Sequence, residues 1–274
     1  MKKYFHIILF LLIAHLANGW SEAGHKTIAL MTWSLLSPAT QTKVTELLPS
    51  GVDIISASTW PDEIRHQRPA TKGWHYIELP VREKVNRINI RYFRSRTKDD
   101  VLSQTEKCIS ELKAATADKE RLQEDLMFLI HFIGDIHMPL HCAGDNDRGG
   151  NEKAVRLFKN NDDEKGRKLN LHALWDHLIM VNSGDIDVIS FADSLIKTIS
   201  ADERATIAKG SPEEWALETY GVAKKRIYKE LPPGKYKEAF HLPKNYSKKM
   251  RPIANKQLVR AAVRLAHVLN ETLH

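Results

Sequence analysis

The sequence predicts a mainly α-helical protein built as one domain, and three observations carry that expectation. Apolar residues recur at i, i+3 and i+4 intervals along most of the chain. Several of these segments open on helix-start signals, with proline in the first turn and acids behind it, as in Ser37-Pro38, Trp60-Pro61-Asp62-Glu63 and Ser211-Pro212-Glu213-Glu214. No Ser/Pro/Gly-rich linker and no internal repeat divides the chain. At 274 residues, with 42% hydrophobic and 27% charged residues, it can bury a full core without disulfide staples.

In chain order, residues 1–19 stand apart. Lys2 and Lys3 precede a short apolar run at 7–16, and Ala17-Asn18-Gly19 puts small residues where a signal peptidase reads. The run is shorter than the roughly 20 apolar residues of a membrane span. A cleaved secretory signal is therefore expected at 1–19, with a secreted or periplasmic domain at 20–274. Helices are expected at 27–36, 38–48, 99–117, 122–138, 171–181, 188–199, 212–230 and 252–273. Segments 151–158 and 168–171, on either side of a charged turn, read as one short β-hairpin. Trp74-His75-Tyr76-Ile77-Glu78 reads as a short aromatic strand. Two irregular stretches, 66–98 and 143–151, are candidates for site-lining loops.

The chain has 13 His but only 2 Cys, which excludes a disulfide scaffold and a Cys-based zinc ribbon. Cys108 and Cys142 either pair in an oxidising compartment or stay as buried thiols. Imidazole and carboxylate are left as the functional chemistry. The formal charge is +7, and loss of Lys2 and Lys3 with the signal would lower it by two. Arg82, Lys84, Arg87, Arg91, Arg94, Arg96 and Lys98, interleaved with Tyr92 and Phe93, form either a backbone-binding stripe or a solvated loop face.

The histidines are patterned. His131 and Asp135 lie four apart on an expected helix, on one face and one turn from each other, and Pro139 then redirects the chain before His141. His172 and Asp176 repeat the spacing. Two such pairs allow metal ligation from two helices, although each alone is also compatible with an ion pair or a packed histidine. Asp62 sits in the first turn of a short helix, where it can serve the dipole or reach outward. His75 can be a ligand or a core residue. Trp20 would become the new N-terminus, able to chelate through its amine and carbonyl oxygen, and His25 closes that chelate if a helix begins between them. His137 faces away from His131 and Asp135 and reads as supporting structure. His66, His241, His267 and His274 have no partner at useful spacing and are expected to face solvent.

These motifs together, from Trp20 through Trp60 to Arg65, Trp74-His75-Tyr76-Ile77-Glu78, His131 to His141 and Leu171 to Asp176, occur in an order that resembles the zinc-dependent single-strand nucleases and 3′-nucleotidases of the S-one/P-one type. The resemblance implies the helical fold shared by these nucleases and zinc phospholipases C, and three zinc ions. Asp62, His75, His131 and Asp135 match the ligands of one ion. Trp20, His25 and a bridging Asp135 match those of its close partner, and His141, His172 and Asp176 those of a third.

It further implies that Asp62 orients the attacking water, that Arg65 stabilises the phosphorane, that Tyr76 stacks a base and that Glu78 hydrogen-bonds it. Glu78 stands where fungal members have Asp, and His177 where they have another polar residue. The loop 143–150 follows the glycine-rich form of bacterial and plant members and is expected to flank the base pocket. The implied activity is endonucleolytic cleavage of single-stranded DNA and RNA to 5′-phosphorylated products, with removal of 3′-phosphate from nucleotides, by a monomer that does not insert into membranes. The rival readings are a zinc phospholipase C and a secreted zinc- or nucleic-acid-binding protein without turnover.

Overall fold

The computed structural model describes residues 20–87, 89–95, 99–157, 167–178 and 186–273, with the backbone alone at 157, 167 and 168. The expected signal at 1–19, Arg96, Lys98, most of the hairpin turn, the end of the helix expected at 171–181, and His274 lie outside these residues. In chain order the helices are α1 (Glu22–Leu35), α2 (Pro38–Leu47), α3 (Ile54–Ala57), α4 (Trp60–Ile64), α5 (Ile90–Arg94), α6 (Val101–Ala114), α7 (Lys119–Ile136), α8 (Leu171–Asp176), α9 (Val188–Ile196), α10 (Ala201–Ile207), α11 (Pro212–Val222) and α12 (Tyr246–Thr272).

Helix α7 is the axis of the molecule. Its N-cap Asp118 accepts from the Arg121 amide at 2.8 Å, and every residue from Asp125 to Ile136 is buried. A helix apolar on all sides must be surrounded, and α1, α3, α6, α11 and α12 do so. Helix α12 presents Ala254, Ala261, Ala262 and Ala266 to the core. These small residues let α1 approach until Thr32 Oγ1 donates to the Ala262 carbonyl at 3.3 Å.

The strands are few and short. β1 (Leu79–Pro80) pairs in parallel with β2 (Ala143–Gly144), tying the segment after His75 to the segment after His141. β3 (Lys153–Leu157) pairs antiparallel with β4 (Arg167–Asn170), in the region of the expected hairpin. β5 (Tyr236–His241) adds to β3 in parallel and was not signalled, since its residues show no strict alternation and its partner is far away in sequence. Among the described residues no helix is long and apolar enough to cross a membrane.

Other departures have local causes. The segment 74–78 is not a strand, because a 3-10 helix (Pro69–His75) carries His75 and only Leu79 and Pro80 find a ladder partner. The helix expected at 188–199 stops at Ile196, and α10 follows on a capping box between Ser200 and Glu203. No residue of α10 is buried, so it shows no apolar periodicity. The helix expected at 212–230 passes after Val222 into a π segment (Ala223–Ile227) and a 3-10 turn (Tyr228–Glu230). Helix α12 begins at Tyr246, ahead of Pro252, because Tyr246 is anchored by Trp175 Nε1 at 3.0 Å.

Candidate metal centre and adjoining pocket

Four short-range devices aim the donors. Helix α1 begins at Glu22, between Trp20 and His25, and turns the buried His25 ring onto His131, 3.9 Å between centroids and nearly parallel. Gly134 makes this possible, because a Cβ there would lie 3.0 Å from the His25 ring. His131 donates through Nδ1 to the Ser58 carbonyl at 2.7 Å, so its Nε2 carries the lone pair. His172 likewise donates through Nδ1 to the Gly149 carbonyl at 2.7 Å, leaving Nε2 bare. Helix α4 places Asp62 in its first turn and Arg65 just past its end, with Arg65 3.7 Å from Asp62 Oδ1.

Asp135 is the hub. One carboxylate oxygen lies 3.0 Å from His75 Nδ1 and 3.1 Å from His131 Nε2, and the other 3.1 Å from His141 Nδ1 and 3.6 Å from His25 Nε2. Asp62 Oδ1 stands 3.9 Å from both His75 and His131. Two groups of donors have all their ligating atoms within 4.8 Å of one another, His25, Asp62 and His131, and His75, His131 and Asp135. His141 and His172 stack 5.2 Å apart, and His172 Nε2 is 3.6 Å from Asp176 Oδ1, so this trio is adjacent but more open. The Ser21 amide donates to the Asp176 carbonyl at 3.1 Å, and Trp20 is fully buried with Nε1 on the Gly134 carbonyl at 3.1 Å. Its backbone is thereby held next to both clusters.

The electrostatics suit a cation. Burial, then the charge of His131, pulls His25 down to about 4, and burial, then His141, pulls His172 down to about 3. Burial also lowers His75. At His131 burial works against the charge, but Asp135 and Asp62 outweigh it and raise the pKa to about 9. Burial likewise opposes the charge on Asp135, yet His131 and His141 hold it well below the usual carboxylate range. Burial, with Asp62 and Asp135 nearby, pushes Asp176 well above that range.

Seven of these buried atoms have no hydrogen-bond partner: His25 Nε2, Asp62 Oδ1, His75 Nε2, Asp135 Oδ1, His141 Nδ1, His172 Nε2 and Asp176 Oδ1. A buried polar atom left unpaired is costly, and one cluster holding so many fits metal ions bound through nitrogen and oxygen.

Beside the cluster opens a cavity of about 290 Å³, whose wall includes Arg65, Tyr76, Glu78, His141 and His172 together with Lys72, Arg148 and Asn151. Tyr76 is 42% exposed, one of three large hydrophobic residues so exposed among the described residues. Burial, then Asp147, raises the Glu78 carboxyl above its usual value. A larger, mainly apolar groove between α9, α10 and α12 is lined by none of these donors.

All twelve expected site residues therefore fall at one place. Ser58, Gly134 and Gly149 were not singled out individually; only the paired glycines of 143–150 hinted at one of them. His137 turns away as expected, donating to the Ile133 carbonyl at 2.7 Å and accepting from Arg264 at 2.8 Å. His66, His241 and His267 are exposed. Within the basic stretch Arg82 pairs with Asp145, Arg87 with Glu214 and Arg94 with Glu106 and Glu213, so these three guanidiniums are engaged in ion pairs. Cys108 and Cys142 are unpaired buried thiols, facing Asp125 and the Ile136 carbonyl.

A helical scaffold that converges imidazoles and carboxylates beside an arginine and an exposed tyrosine fits a metal-site hydrolase of phosphate esters. The family model described as S1/P1 Nuclease matches residues 20–274, and the chain belongs to the S1/P1 nuclease family. It is 30% identical to Endonuclease 4 of Arabidopsis thaliana over 98% of this chain and 95% of that protein. It is 27% identical to Nuclease S1 of Aspergillus oryzae, covering 61% of this chain and 56% of that protein. Nuclease P1 of Penicillium citrinum is 26% identical over 66% of this chain and 65% of its own length.

Proposed function

We propose that this protein is a zinc-dependent endonuclease that hydrolyses single-stranded DNA and RNA to 5′-phosphorylated products and removes the 3′-phosphate of nucleotides. The observation that carries this reading is the set of seven unpartnered buried donor atoms beside the half-open ring of Tyr76. Three zinc ions are proposed: one on Asp62, His75, His131 and Asp135; one on Trp20, His25 and Asp135; one on His141, His172 and Asp176. Their nitrogen and oxygen donors, with no thiolate, suit zinc. Zinc would lower the pKa of water toward neutrality and offset the charge of the phosphate and the departing oxygen.

The chain's own residues do the positioning. Asp62 Oδ1, unpartnered at the cluster's edge, accepts from the attacking water and orients it. Arg65, beside it, offers a planar fork to two phosphate oxygens as negative charge builds on them. Tyr76 stacks a base and Glu78 hydrogen-bonds its edge. Stacking accepts any base but requires an unpaired one, which accounts for selection of single strands without sequence preference. Residues 1–19 are read as a cleaved signal and the product as a secreted or periplasmic monomer. Burial of Trp20 and a family match beginning at residue 20 support that reading.

Metal analysis of the protein beginning at Trp20, coupled to hydrolysis of denatured and duplex DNA, tests the proposal. Three zinc ions and preference for the denatured substrate are expected. Turnover of phosphatidylcholine vesicles without hydrolysis of denatured DNA, or zinc content with no turnover of either, would overturn it.

A further inference from the structure

The loop between β2 and β3 holds backbone that side chains rarely adopt. Asn146 (φ 54°), Arg148 (φ 53°), Gly149 (φ 57°) and Gly150 (φ 84°) all lie in the left-handed region. Glycine and asparagine accept it readily, but arginine has no such excuse. Strain of this kind persists only where the surroundings impose it.

Here it is imposed from beneath. Asp147 is fully buried and accepts the Tyr228 hydroxyl on both carboxylate oxygens at 3.1 Å, together with the Asp145 amide at 2.9 Å. Its carbonyl receives the Glu152 amide at 2.9 Å. Lys153, also fully buried, stands 3.8 Å from Asp147 and 3.4 Å from Asp145, and donates to the Pro232 and Gly234 carbonyls. With Asp147 drawn down, Arg148 is turned outward and lines the cavity opposite the core.

Two cations in that wall are unspent. Arg65, 3.7 Å from Asp62, is already assigned to the 3′-phosphate, and Arg82, Arg87 and Arg94 are all in ion pairs. The side chains of Arg148 and Lys72 have no hydrogen-bond or ion-pair partner among the described residues, although both line the cavity with Tyr76. The charge of Arg148 does reach the Glu78 carboxyl, which it acts to lower.

A nucleoside stacked on Tyr76 with its 3′-phosphate at Asp62 and Arg65 leaves its 5′ oxygen as the only other exit of the backbone. We propose that Arg148 and Lys72 bind the phosphate on that 5′ oxygen, so that the site favours a nucleoside phosphorylated on both sides. The inference rests on the nuclease reading and adds a specificity that reading does not contain.

Steady-state kinetics of the zinc-loaded protein on two dinucleotides, NpN and its 5′-phosphorylated form pNpN, test it. The wild type is expected to favour pNpN by about tenfold or more in kcat/KM, the scale of one charge-assisted contact. Arg148→Gly, which relieves the backbone while removing the head group, and Lys72→Ala should each collapse that preference, mainly through KM, and Arg148→Gly should do so without lowering the melting temperature. Equal turnover of the two substrates by the wild type, or an equal loss on both in the variants, refutes the inference. Cleavage of neither by the wild type removes the nuclease reading and this inference with it.

Discussion

The indole Nε1 of Trp20 donates to the carbonyl oxygen of Gly134 at 3.1 Å, one residue before the hub carboxylate of Asp135. The next residue's amide, on Ser21, bonds the Asp176 carbonyl. Trp20 is thus fixed by its own ring at the point where its backbone is proposed to ligate. A version of the protein carrying extra residues before Trp20 should keep its fold but bind two zinc ions in place of three, with most activity lost; three ions and full activity would sink the ligation of the Trp20 amine. Trp20→Phe should cost about 1 kcal/mol for the lost hydrogen bond, measured by urea unfolding.

Asp62 and Arg65 occupy successive turns at the edge of the cluster. Asp62→Asn should lower kcat by about 10²–10⁴, in keeping with loss of an orienting carboxylate. Arg65→Ala should cost about 10²–10³ in kcat with little change in KM, and Arg65→Lys should restore little, since an ammonium lacks the fork. A change confined to KM for Arg65→Ala would place its role in ground-state binding.

Gly149 combines two constraints. Its φ is +57°, and a Cβ would lie 2.3 Å from the Leu140 carbonyl oxygen. Gly149→Ala should therefore destabilise the protein by about 1–3 kcal/mol. The same shift displaces the carbonyl that fixes His172 at 2.7 Å. Zinc analysis should show selective loss of one ion.

Much of this centre was legible in the sequence because each donor belongs to a short motif. His131 with Asp135, and His172 with Asp176, announce themselves by four-residue spacing on helices, and Asp62 by its place after Trp60-Pro61. The orienting partners are invisible at that level. Ser58 and Gly149 act through backbone carbonyls, which any residue supplies, and their positions depend on tertiary packing. The same holds for the fold. Helices with an apolar face were found, whereas α10, with no buried residue, and β5, paired across the chain with β3, were not.

The buried Lys153 is the prediction with the largest stability effect. It has no solvent exposure and serves Asp145, Asp147 and two carbonyls. Lys153→Met should destabilise by about 3–5 kcal/mol, because the two carboxylates remain buried without it.

The same cluster sets an acid limit. Burial opposes the charge on Asp145, but Arg82, the Gly234 amide and Lys153 outweigh it and hold its pKa below the usual 3.8. A folded-state pKa below the unfolded one contributes stability that is complete above about pH 4 and is lost as pH falls through the folded value. Urea midpoints measured from pH 5 down to pH 2 should decline in the wild type and decline less steeply in Asp145→Asn. Identical slopes would exclude Asp145 from that acid sensitivity.

The contact between Thr32 and Ala262 joins positions 230 residues apart. Helix α1, which delivers His25, is thus clasped by α12, while Tyr228 and Lys153 brace the wall of the cavity. Such pairings carry a high loop-closure cost and slow the approach to the native state. A ribosome-bound chain lacking α12 has every donor residue already synthesised and yet lacks the helix that holds the first of them in place. Completion of the centre therefore waits on α12, although that helix supplies none of the proposed donors.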